Sequence, residues 1–258
     1  MNHWALILGG SSGLGLATAK KLASHGYQII IVHRDRRSDM DEIQLSFEEI
    51  RAKGNQLITF NTDALKAEKR FEIILDIKKQ LPPNDKIKVL VHSVAKGSLK
   101  PMYSNTESTL VDTDFKITFE AMALSLFDWT KALVEHQLFG SDTRIISFTS
   151  EGNKKALPNY GAVSVAKVAL EALTRSIALE FASLGIKANC IQAGVTLTKS
   201  LRMIPGYEKI EANALKRNPN KRLTTPEDVA NVVYLLTTDE AKWITGTVIK
   251  VDGGESLM

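Results

Sequence analysis

Apolar and polar residues follow two repeating patterns along this chain. Short runs of consecutive apolar residues, such as 5–8 and 29–32, are typical of strands that are buried on both faces of a sheet. Between these runs lie longer segments with apolar residues three or four positions apart, which is typical of amphipathic helices. Because the two patterns alternate to the end of the chain, we predict a doubly wound, mostly parallel α/β sheet. No linker or repeat interrupts it, so residues 1–258 form one predicted domain.

The same patterns place the individual elements. The predicted strands cover residues 3–8, 27–32, 56–60, 88–92, 144–148, 186–191 and 247–251. The predicted helices cover residues 14–24, 40–53, 68–81, 115–136 and 226–236, with a central helix that begins near Tyr160. Pro158 followed by Asn159 is typical of a helix entrance, and we expect Asn159 to cap the central helix.

Composition and charge narrow the classes of function. A hydrophobic content of 44% with 24% charged residues is ordinary for a globular protein, and no apolar run approaches the roughly 18 residues that span a bilayer. The apolar start is too short for a signal peptide. A single cysteine, Cys190, excludes an internal disulfide and a multi-cysteine metal site, so we expect a cytoplasmic protein without a metal. The net charge of +4 is too small to indicate nucleic-acid binding; an anionic cofactor or an acidic partner explains it.

A glycine-rich turn joins the first predicted strand to the first predicted helix. Residues 9–15 read GGSSGLG, with glycines at 9, 10, 13 and 15. Glycine lets the backbone approach a pyrophosphate closely, and the following helix presents free N–H groups and a positive dipole end. The spacing is GxxxGxG rather than the general GxGxxG, but its position between strand and helix favours a nucleotide site over a plain turn.

The end of the second strand predicts which nucleotide binds. Arg34 lies about twenty residues beyond the glycines, where an arginine accommodates the 2′-phosphate of NADP and an acidic residue binds the ribose of NAD. NADPH is therefore the expected cofactor. Asp35 keeps NADH open as the alternative, and a solvated basic turn is the explanation that requires no ligand.

The stretch from residue 149 to 171 contains the candidate chemistry. Tyr160 and Lys167 are seven positions apart on the central helix, so both lie on one face, about 10 Å apart along the axis. A phenol and an ammonium at that separation are able to bracket a bound molecule. A solvated lysine and an ordinary interfacial tyrosine are the alternative.

A basic segment follows the sixth strand. Residues 199–222 contain seven lysines and arginines against two glutamates, at the sheet edge where ligands bind in such folds. We expect an insertion at about 196–222 to be a mobile lid over the substrate, with basic residues that face an acidic partner. A solvated helical insertion is the alternative.

These motifs together resemble the short-chain dehydrogenase/reductase family, and the resemblance covers essentially the whole chain. It rests on GGSSGLG, on Asp63, on the trio Ser150, Tyr160 and Lys167, on AGVTLT at 193–198, and on the ending from residue 225. The common form of the family has Tyr-x3-Lys, whereas this chain has Tyr-x6-Lys. That spacing, with VHSVA at 91–95 and ALPNY at 156–160, resembles the enoyl-acyl-carrier-protein reductases.

The resemblance implies a Rossmann fold, a homotetramer, and reduction of a trans-2-enoyl thioester on acyl carrier protein or CoA in fatty-acid synthesis. It implies that Tyr160 donates a hydrogen bond to the thioester oxygen, with Ser150 assisting. It also implies that Lys167 binds the nicotinamide ribose and lowers the pKa of Tyr160. The implied cofactor-binding residues are Gly9, Ser11, Ser12, Gly13, Leu14, Gly15, Arg34, Asp63, Ala64, Ser93, Val94, Ala95, Lys167, Gly194, Thr196 and Thr198.

The chain also departs from that pattern. Many enoyl reductases have a second tyrosine where this chain has Ser150, which matches the catalytic serine of ordinary family members. Val195 replaces the usual proline, and Glu120 stands where ordinary members have a relay asparagine. Two alternatives therefore stay open. One is an NADP-dependent carbonyl reductase or alcohol dehydrogenase of the same fold, such as a 3-oxoacyl thioester reductase; the other is a dinucleotide sensor without catalysis.

Overall fold

The centre of the computed structural model, which describes residues 3–258, is a seven-stranded sheet. Its strands are β1 (His3–Leu8), β2 (Gln28–His33), β3 (Leu57–Asn61), β4 (Lys86–His92), β5 (Phe139–Ser150), β6 (Ile186–Ala193) and β7 (Val248–Val251). Their order across the sheet is β3-β2-β1-β4-β5-β6-β7, and every neighbouring pair is parallel. The predicted doubly wound sheet is confirmed.

Helices cover both faces of this sheet. They are α1 (Gly13–Ser24), α2 (Met40–Arg51), α3 (Ala67–Gln80), α4 (Asp112–Phe119), α5 (Ser125–Glu135), α6 (Gly161–Glu180), α7 (Lys199–Arg202), α8 (Tyr207–Arg217) and α9 (Pro226–Thr237). One buried apolar cluster joins the sheet to α3, α5 and α6, and a second joins it to α1, α2 and α9. Within residues 3–258, no helix has the length and apolar character needed to cross a bilayer.

Most predicted boundaries differ from the structure by at most two residues, and two differ by more because polar residues obscured the pattern. The fifth strand begins at Phe139, five residues early, since Phe139 pairs with Ile87 although the intervening residues are polar. The predicted helix over 115–136 begins at Asp112 and is divided by a π-helical turn at Glu120–Leu124. Its earlier start follows from Asp114, whose carboxylate accepts a hydrogen bond from the Val111 N–H at 3.0 Å.

The expected cap of the central helix was also wrong. The N-cap residue of α6 is Tyr160, and Asn159 lies in the left-handed region with a φ of 61°. Asn tolerates that conformation better than most residues, so here it turns the chain into the helix. Tyr160 therefore lies immediately before the first helical residue.

The order of the strands determines where a ligand can bind. The chain runs outward in one direction from β1 to β3 and in the other from β4 to β7, so the winding reverses between β1 and β4. In open parallel sheets the crevice beyond the carboxyl ends of the strands at such a reversal is the binding site.

The packing of α6 generates a prediction about stability. Leu170 is completely buried, whereas Val168 on the same helix is 51% exposed. We expect Leu170→Ala to reduce the free energy of unfolding by about 2–5 kcal/mol, because it leaves a cavity in the core. Val168→Ala, the matched control, should change it by less than about 0.5 kcal/mol. Urea unfolding measures both; equal effects of the two substitutions would contradict the packing described.

Candidate functional site

A cleft of about 310 Å³ opens at the carboxyl edge of the sheet, at the reversal between β1 and β4. The turns after β1, β4, β5 and β6 line it, together with α6 and the segment that contains α7 and α8. It brings together most of the site residues predicted from the sequence, namely Gly9, Ser12, Gly13, Leu14, Ser93, Val94, Ala95, Ser150, Tyr160, Lys167, Gly194, Thr196 and Thr198.

The glycine turn at one side of the cleft is packed too tightly for side chains. A Cβ on Gly9, whose φ is +82°, would lie 2.4 Å from the Ser93 carbonyl oxygen. A Cβ on Gly15 would lie 2.1 Å from the Gly9 carbonyl oxygen. Ser12 is the N-cap of α1, yet its side chain makes no capping hydrogen bond to the first N–H groups. The helix start thus offers free donors beside Gly13 and Leu14, which fits a dinucleotide pyrophosphate.

The far side of the cleft carries the predicted tyrosine and lysine. The Lys167 ammonium is buried and donates a hydrogen bond to the Phe148 carbonyl oxygen at 2.8 Å. Burial lowers the pKa of Lys167 to about 8. Burial raises the pKa of Tyr160, and a hydrogen bond with Ser150 opposes that rise without cancelling it. Lys167 is not among the groups that shift the pKa of Tyr160, so the expected lowering by Lys167 is not seen in the protein alone.

A buried glutamate behind the cleft was missed by the sequence analysis. The Glu171 carboxylate lies one turn after Lys167 and accepts hydrogen bonds from the Thr149 hydroxyl, at 2.8 Å, and from the Asn153 amide. These bonds hold the segment that carries Ser150 against α6. A glutamate on the inner face of an apolar helix was the only sequence signal for it.

A buried histidine was missed as well. His92 ends β4, is 1% exposed and lines the cleft. Burial lowers the pKa of His92 to about 3, so its ring is neutral at physiological pH. The Ser125 hydroxyl donates to the Ala121 carbonyl oxygen at 2.8 Å, so it accepts the 2.7 Å hydrogen bond from His92 Nε2. The ring therefore ties the end of β4 to the beginning of α5.

The outer part of the cleft is apolar. The apolar wall of the cleft, against part of which Tyr160 packs, is formed by Leu99, Met122, Leu157, Val163, Ile204 and Ile210. Ile210 lies in α8 and Ile204 lies between α7 and α8, so the segment predicted as a lid contributes directly to the wall. A wall of this kind suits the apolar part of a small substrate.

The basic segment is attached to the rest of the molecule by ion pairs. Arg217, at the end of α8, donates to Glu151 at 2.9 Å and to Glu255 at 2.8 Å, and Glu255 is 3% exposed. Arg222 pairs with Asp228, and the Lys199 ammonium lies 3.5 Å from a Glu42 oxygen. These three basic residues therefore have carboxylates of this chain within reach, and the expectation that the segment faces an acidic partner stays a prediction. Four others, Arg202, Lys209, Lys216 and Lys221, are exposed.

Five predicted cofactor residues lie outside the main cleft. Arg34 and Asp63 follow β2 and β3 and pair with each other at 2.8 Å. Ser11 lines an adjoining groove, and Gly15 lies behind the glycine turn. Ala64 packs against the core, and its carbonyl oxygen accepts a hydrogen bond from the Trp129 indole at 2.9 Å. Within residues 3–258, no cluster of three or more His, Cys, Asp or Glu side chains is arranged to hold a metal ion.

Comparison with known proteins finds relatives and similar structures over almost the whole chain. The family model described as enoyl-(acyl carrier protein) reductase matches residues 9–256. The 3-oxoacyl-[acyl-carrier-protein] reductase FabG of Staphylococcus epidermidis is 28% identical over 257 residues, which cover 98% of this chain and 99% of the relative. The solved enoyl-[acyl-carrier-protein] reductase (NADH) of Aquifex aeolicus VF5 superimposes with a TM-score of 0.85 at 25% identity, over 99% of this chain and 97% of that one.

A second solved structure is similar to the same degree. YwfH, described as an NADPH dependent reductase involved in bacilysin biosynthesis, gives a TM-score of 0.83 at 25% identity, over 99% of this chain and 98% of that one. Similar structures therefore include one described as an NADH enzyme and one described as NADPH dependent.

The Arg217 contacts generate a prediction about the lid. Arg217→Gln should leave the buried Glu255 carboxylate without its charged partner and reduce the free energy of unfolding by about 1–3 kcal/mol. It should also speed tryptic cleavage within residues 199–216. Arg222→Gln removes a more exposed ion pair, so it should cost less than about 1 kcal/mol and leave cleavage there unchanged. Equal cleavage of both variants and the unsubstituted protein would contradict an attached lid.

Proposed function

Since the chain belongs to the short-chain dehydrogenase/reductase family, we propose that it reduces the double bond of a trans-2-enoyl thioester on acyl carrier protein or CoA. Its general class is a nicotinamide-dinucleotide-dependent oxidoreductase. The observation that carries the proposal is that Tyr160 and the buried Lys167 line one cleft, in which Tyr160 packs against apolar side chains suited to an acyl chain.

Three groups of residues would hold the three parts of the cofactor. Gly9, Ser12, Gly13 and Leu14 would hold the pyrophosphate, since the free N–H groups at the start of α1 lie there. Lys167 and Thr198 would hold the nicotinamide end, and Arg34 the adenosine end. The bound dinucleotide would supply the hydride that reaches the β-carbon of the substrate.

Tyr160 would act on the substrate oxygen. As the β-carbon is reduced, negative charge collects on the thioester oxygen, and a hydrogen-bond donor aimed at that oxygen stabilises the transition state. Because burial raises the pKa of Tyr160, the phenol keeps its proton at neutral pH and remains a donor. A proton from solvent would then complete the reduction at the α-carbon. Ser150, which is hydrogen-bonded to Tyr160, would fix the direction of the phenol.

The cofactor we propose is NADPH, with NADH as the alternative. Arg34 is the exposed guanidinium at the end of β2, and its planar set of donors suits a 2′-phosphate. The similarity to YwfH, described as NADPH dependent, supports this choice, and the similarity to the NADH enzyme of Aquifex aeolicus VF5 supports the alternative.

A carbonyl reductase is the second candidate. The contact between Ser150 and Tyr160 favours it, since a serine that orients a tyrosine also suits direct protonation of a carbonyl oxygen. The similarity to a 3-oxoacyl-[acyl-carrier-protein] reductase supports it as well. A dinucleotide sensor without catalysis would bind the cofactor and turn over neither substrate.

We also propose a cytoplasmic homotetramer in which the segment at 196–222 acts as the substrate lid. Large apolar side chains at the surface support assembly, among them Trp243, which is 96% exposed, and Leu179, which is 79% exposed. The apolar contribution of Ile204 and Ile210 to the cleft supports the lid.

One assay distinguishes these candidates. Crotonyl and acetoacetyl thioesters are offered separately to the purified chain with NADPH or NADH, and consumption of the reduced dinucleotide is followed by absorbance. Enoyl reduction predicts turnover of the crotonyl substrate, carbonyl reduction predicts turnover of the acetoacetyl substrate, and a sensor predicts neither. Turnover of the acetoacetyl thioester alone would overturn the enoyl proposal.

Replacing the tyrosine tests the mechanism. We expect Tyr160→Phe to reduce kcat by about 10²–10³-fold, because the donor to the developing oxyanion is lost. Binding of NADPH, followed by its fluorescence, should remain unchanged. Ser150→Ala should reduce kcat less, since the phenol remains. Full activity of Tyr160→Phe with intact NADPH binding would exclude the phenol as the donor.

The lysine predicts a pH dependence. Below a pKa of about 8 Lys167 is an ammonium, and above it an amine that binds ribose hydroxyls less strongly. Since a bound anionic cofactor favours the charged form, dinucleotide affinity should fall as the pH rises through about 8. Lys167→Met should bind weakly and lose this pH dependence. Calorimetric titration at several pH values measures both proteins, and an identical slope in the variant would contradict the assignment.

A further inference from the structure

Two acidic residues lie at the adenosine end of the predicted cofactor site. Asp35 follows β2 by two residues, and Asp63 follows β3 by two residues. A carboxylate about twenty residues beyond the glycine turn, the place of Asp35, can bind the ribose hydroxyls of NAD, and it repels a 2′-phosphate. A site for NADPH therefore requires that the Asp35 carboxylate be turned away and that the nearby charge of Asp63 be paired.

The first carboxylate is held by a buried ring. His33 Nδ1 lies 2.8 Å from Asp35 Oδ2, and because an ionised carboxylate only accepts, the imidazole N–H donates this bond. The His33 side chain is buried and packs edge-on against Phe47 of α2, with ring centroids 5.5 Å apart. The bond thus directs the Asp35 carboxylate toward the interior of the protein.

The backbone at this corner is fixed as well. The Asn61 side chain accepts a hydrogen bond from the Asp35 N–H at 3.0 Å and donates one to the Asp35 carbonyl oxygen at 3.2 Å. These two bonds join the ends of β2 and β3. With its backbone held, the Asp35 carboxylate can move away from His33 only by rotation of its own side-chain bonds. The hydrogen bond to the imidazole therefore fixes the position of the carboxylate.

The second carboxylate is paired with the arginine. Asp63 accepts from Arg34 Nη1 at 2.8 Å and from the Leu65 N–H at 3.1 Å. The Arg34 side chain is 63% exposed, so the rest of its guanidinium faces outward. Arg34 is therefore an exposed basic group at this corner, and both acids contact basic side chains.

We propose that His33 is a specificity-determining residue of the cofactor site, which holds the Asp35 carboxylate away from the adenosine ribose so that a 2′-phosphate is accepted. This inference rests on the proposed use of NADPH. His33 acts through Asp35 and is a positioning residue. The chemistry it selects is a ribose 2′-phosphate over a free 2′-hydroxyl.

Titration of the full chain with two adenosine nucleotides tests this role without any catalysis. The probes are adenosine 2′,5′-bisphosphate and adenosine 5′-monophosphate, and the readout is the ratio of their dissociation constants by calorimetry. In His33→Phe the donor is lost while an aromatic ring still faces Phe47. Affinity for the bisphosphate should then fall about tenfold, with a much smaller change for the monophosphate, because the freed carboxylate faces the extra phosphate.

Further variants show whether the effect passes through Asp35. The double variant His33→Phe/Asp35→Asn should recover the original preference, because the released side chain carries no charge. Asp35→Asn alone should change the ratio less than about twofold, because the carboxylate is already turned away. His33→Asn, which keeps a donor near the position of Nδ1, should retain the preference. His25→Asn, which removes an imidazole stacked on Tyr234 at 3.5 Å, is the control.

The outcomes separate the two proposals. A wild-type chain that binds neither nucleotide would overturn the dinucleotide function itself. A wild-type chain that prefers the bisphosphate, with the preference unchanged in His33→Phe, would overturn the role of His33 alone. If His33→Phe does not fold, as judged by circular dichroism, Asp35→Asn decides. A large gain in bisphosphate preference in that variant would mean that Asp35 faces the ribose and would overturn the inference.

Discussion

The burial of one face of α6 against the sheet is the constraint on which the site depends. Leu170 and Ile177 pack into the core beside β5 and β6, and this packing fixes the rotation and height of the helix. The Lys167 side chain is thereby directed toward the end of β5, where its ammonium donates a hydrogen bond to the Phe148 carbonyl oxygen. Tyr160, at the N-cap of the same helix, is positioned over the apolar cleft by the same packing.

Around this helix each of two buried carboxylates accepts hydrogen bonds from other segments of the chain. The Glu171 carboxylate accepts bonds from Thr149 and Asn153, and Glu255 accepts from Arg217 and from the Val195 N–H. Unpaired, each would cost several kcal/mol, so the partners restrict the geometry of the segments that carry them. The segment after β5, α8 and the residues around Glu255 are thereby held in one arrangement around the cleft.

Burial beside the cleft shifts the pKa values of Tyr160 and Lys167. With little water nearby, the phenol of Tyr160 holds its proton more strongly and the ammonium of Lys167 holds its proton less strongly. A protonated phenol beside an apolar wall suits donation to a developing oxyanion. Both proposed reactions, of an enoyl and of a carbonyl substrate, would use this donor, because each places negative charge on a substrate oxygen.

The sequence by itself determined the alternation of strands and helices, the glycine turn, and the placement of Tyr160 and Lys167 on one helix. These features depend on local periodicity and on short motifs, which can be read from neighbouring residues without any tertiary contact. Only the tertiary structure decided that Arg217 joins Glu151 to Glu255, that Glu171 supports the Ser150 segment, and that Asp35 turns toward His33. Arg217 and Glu151 are 66 residues apart, and Glu171 lies 18 residues from Asn153, so no local pattern marks them as partners. The strength and direction of such contacts, and the pKa values that follow from burial, exist only once the strands have brought these segments to one edge of the sheet.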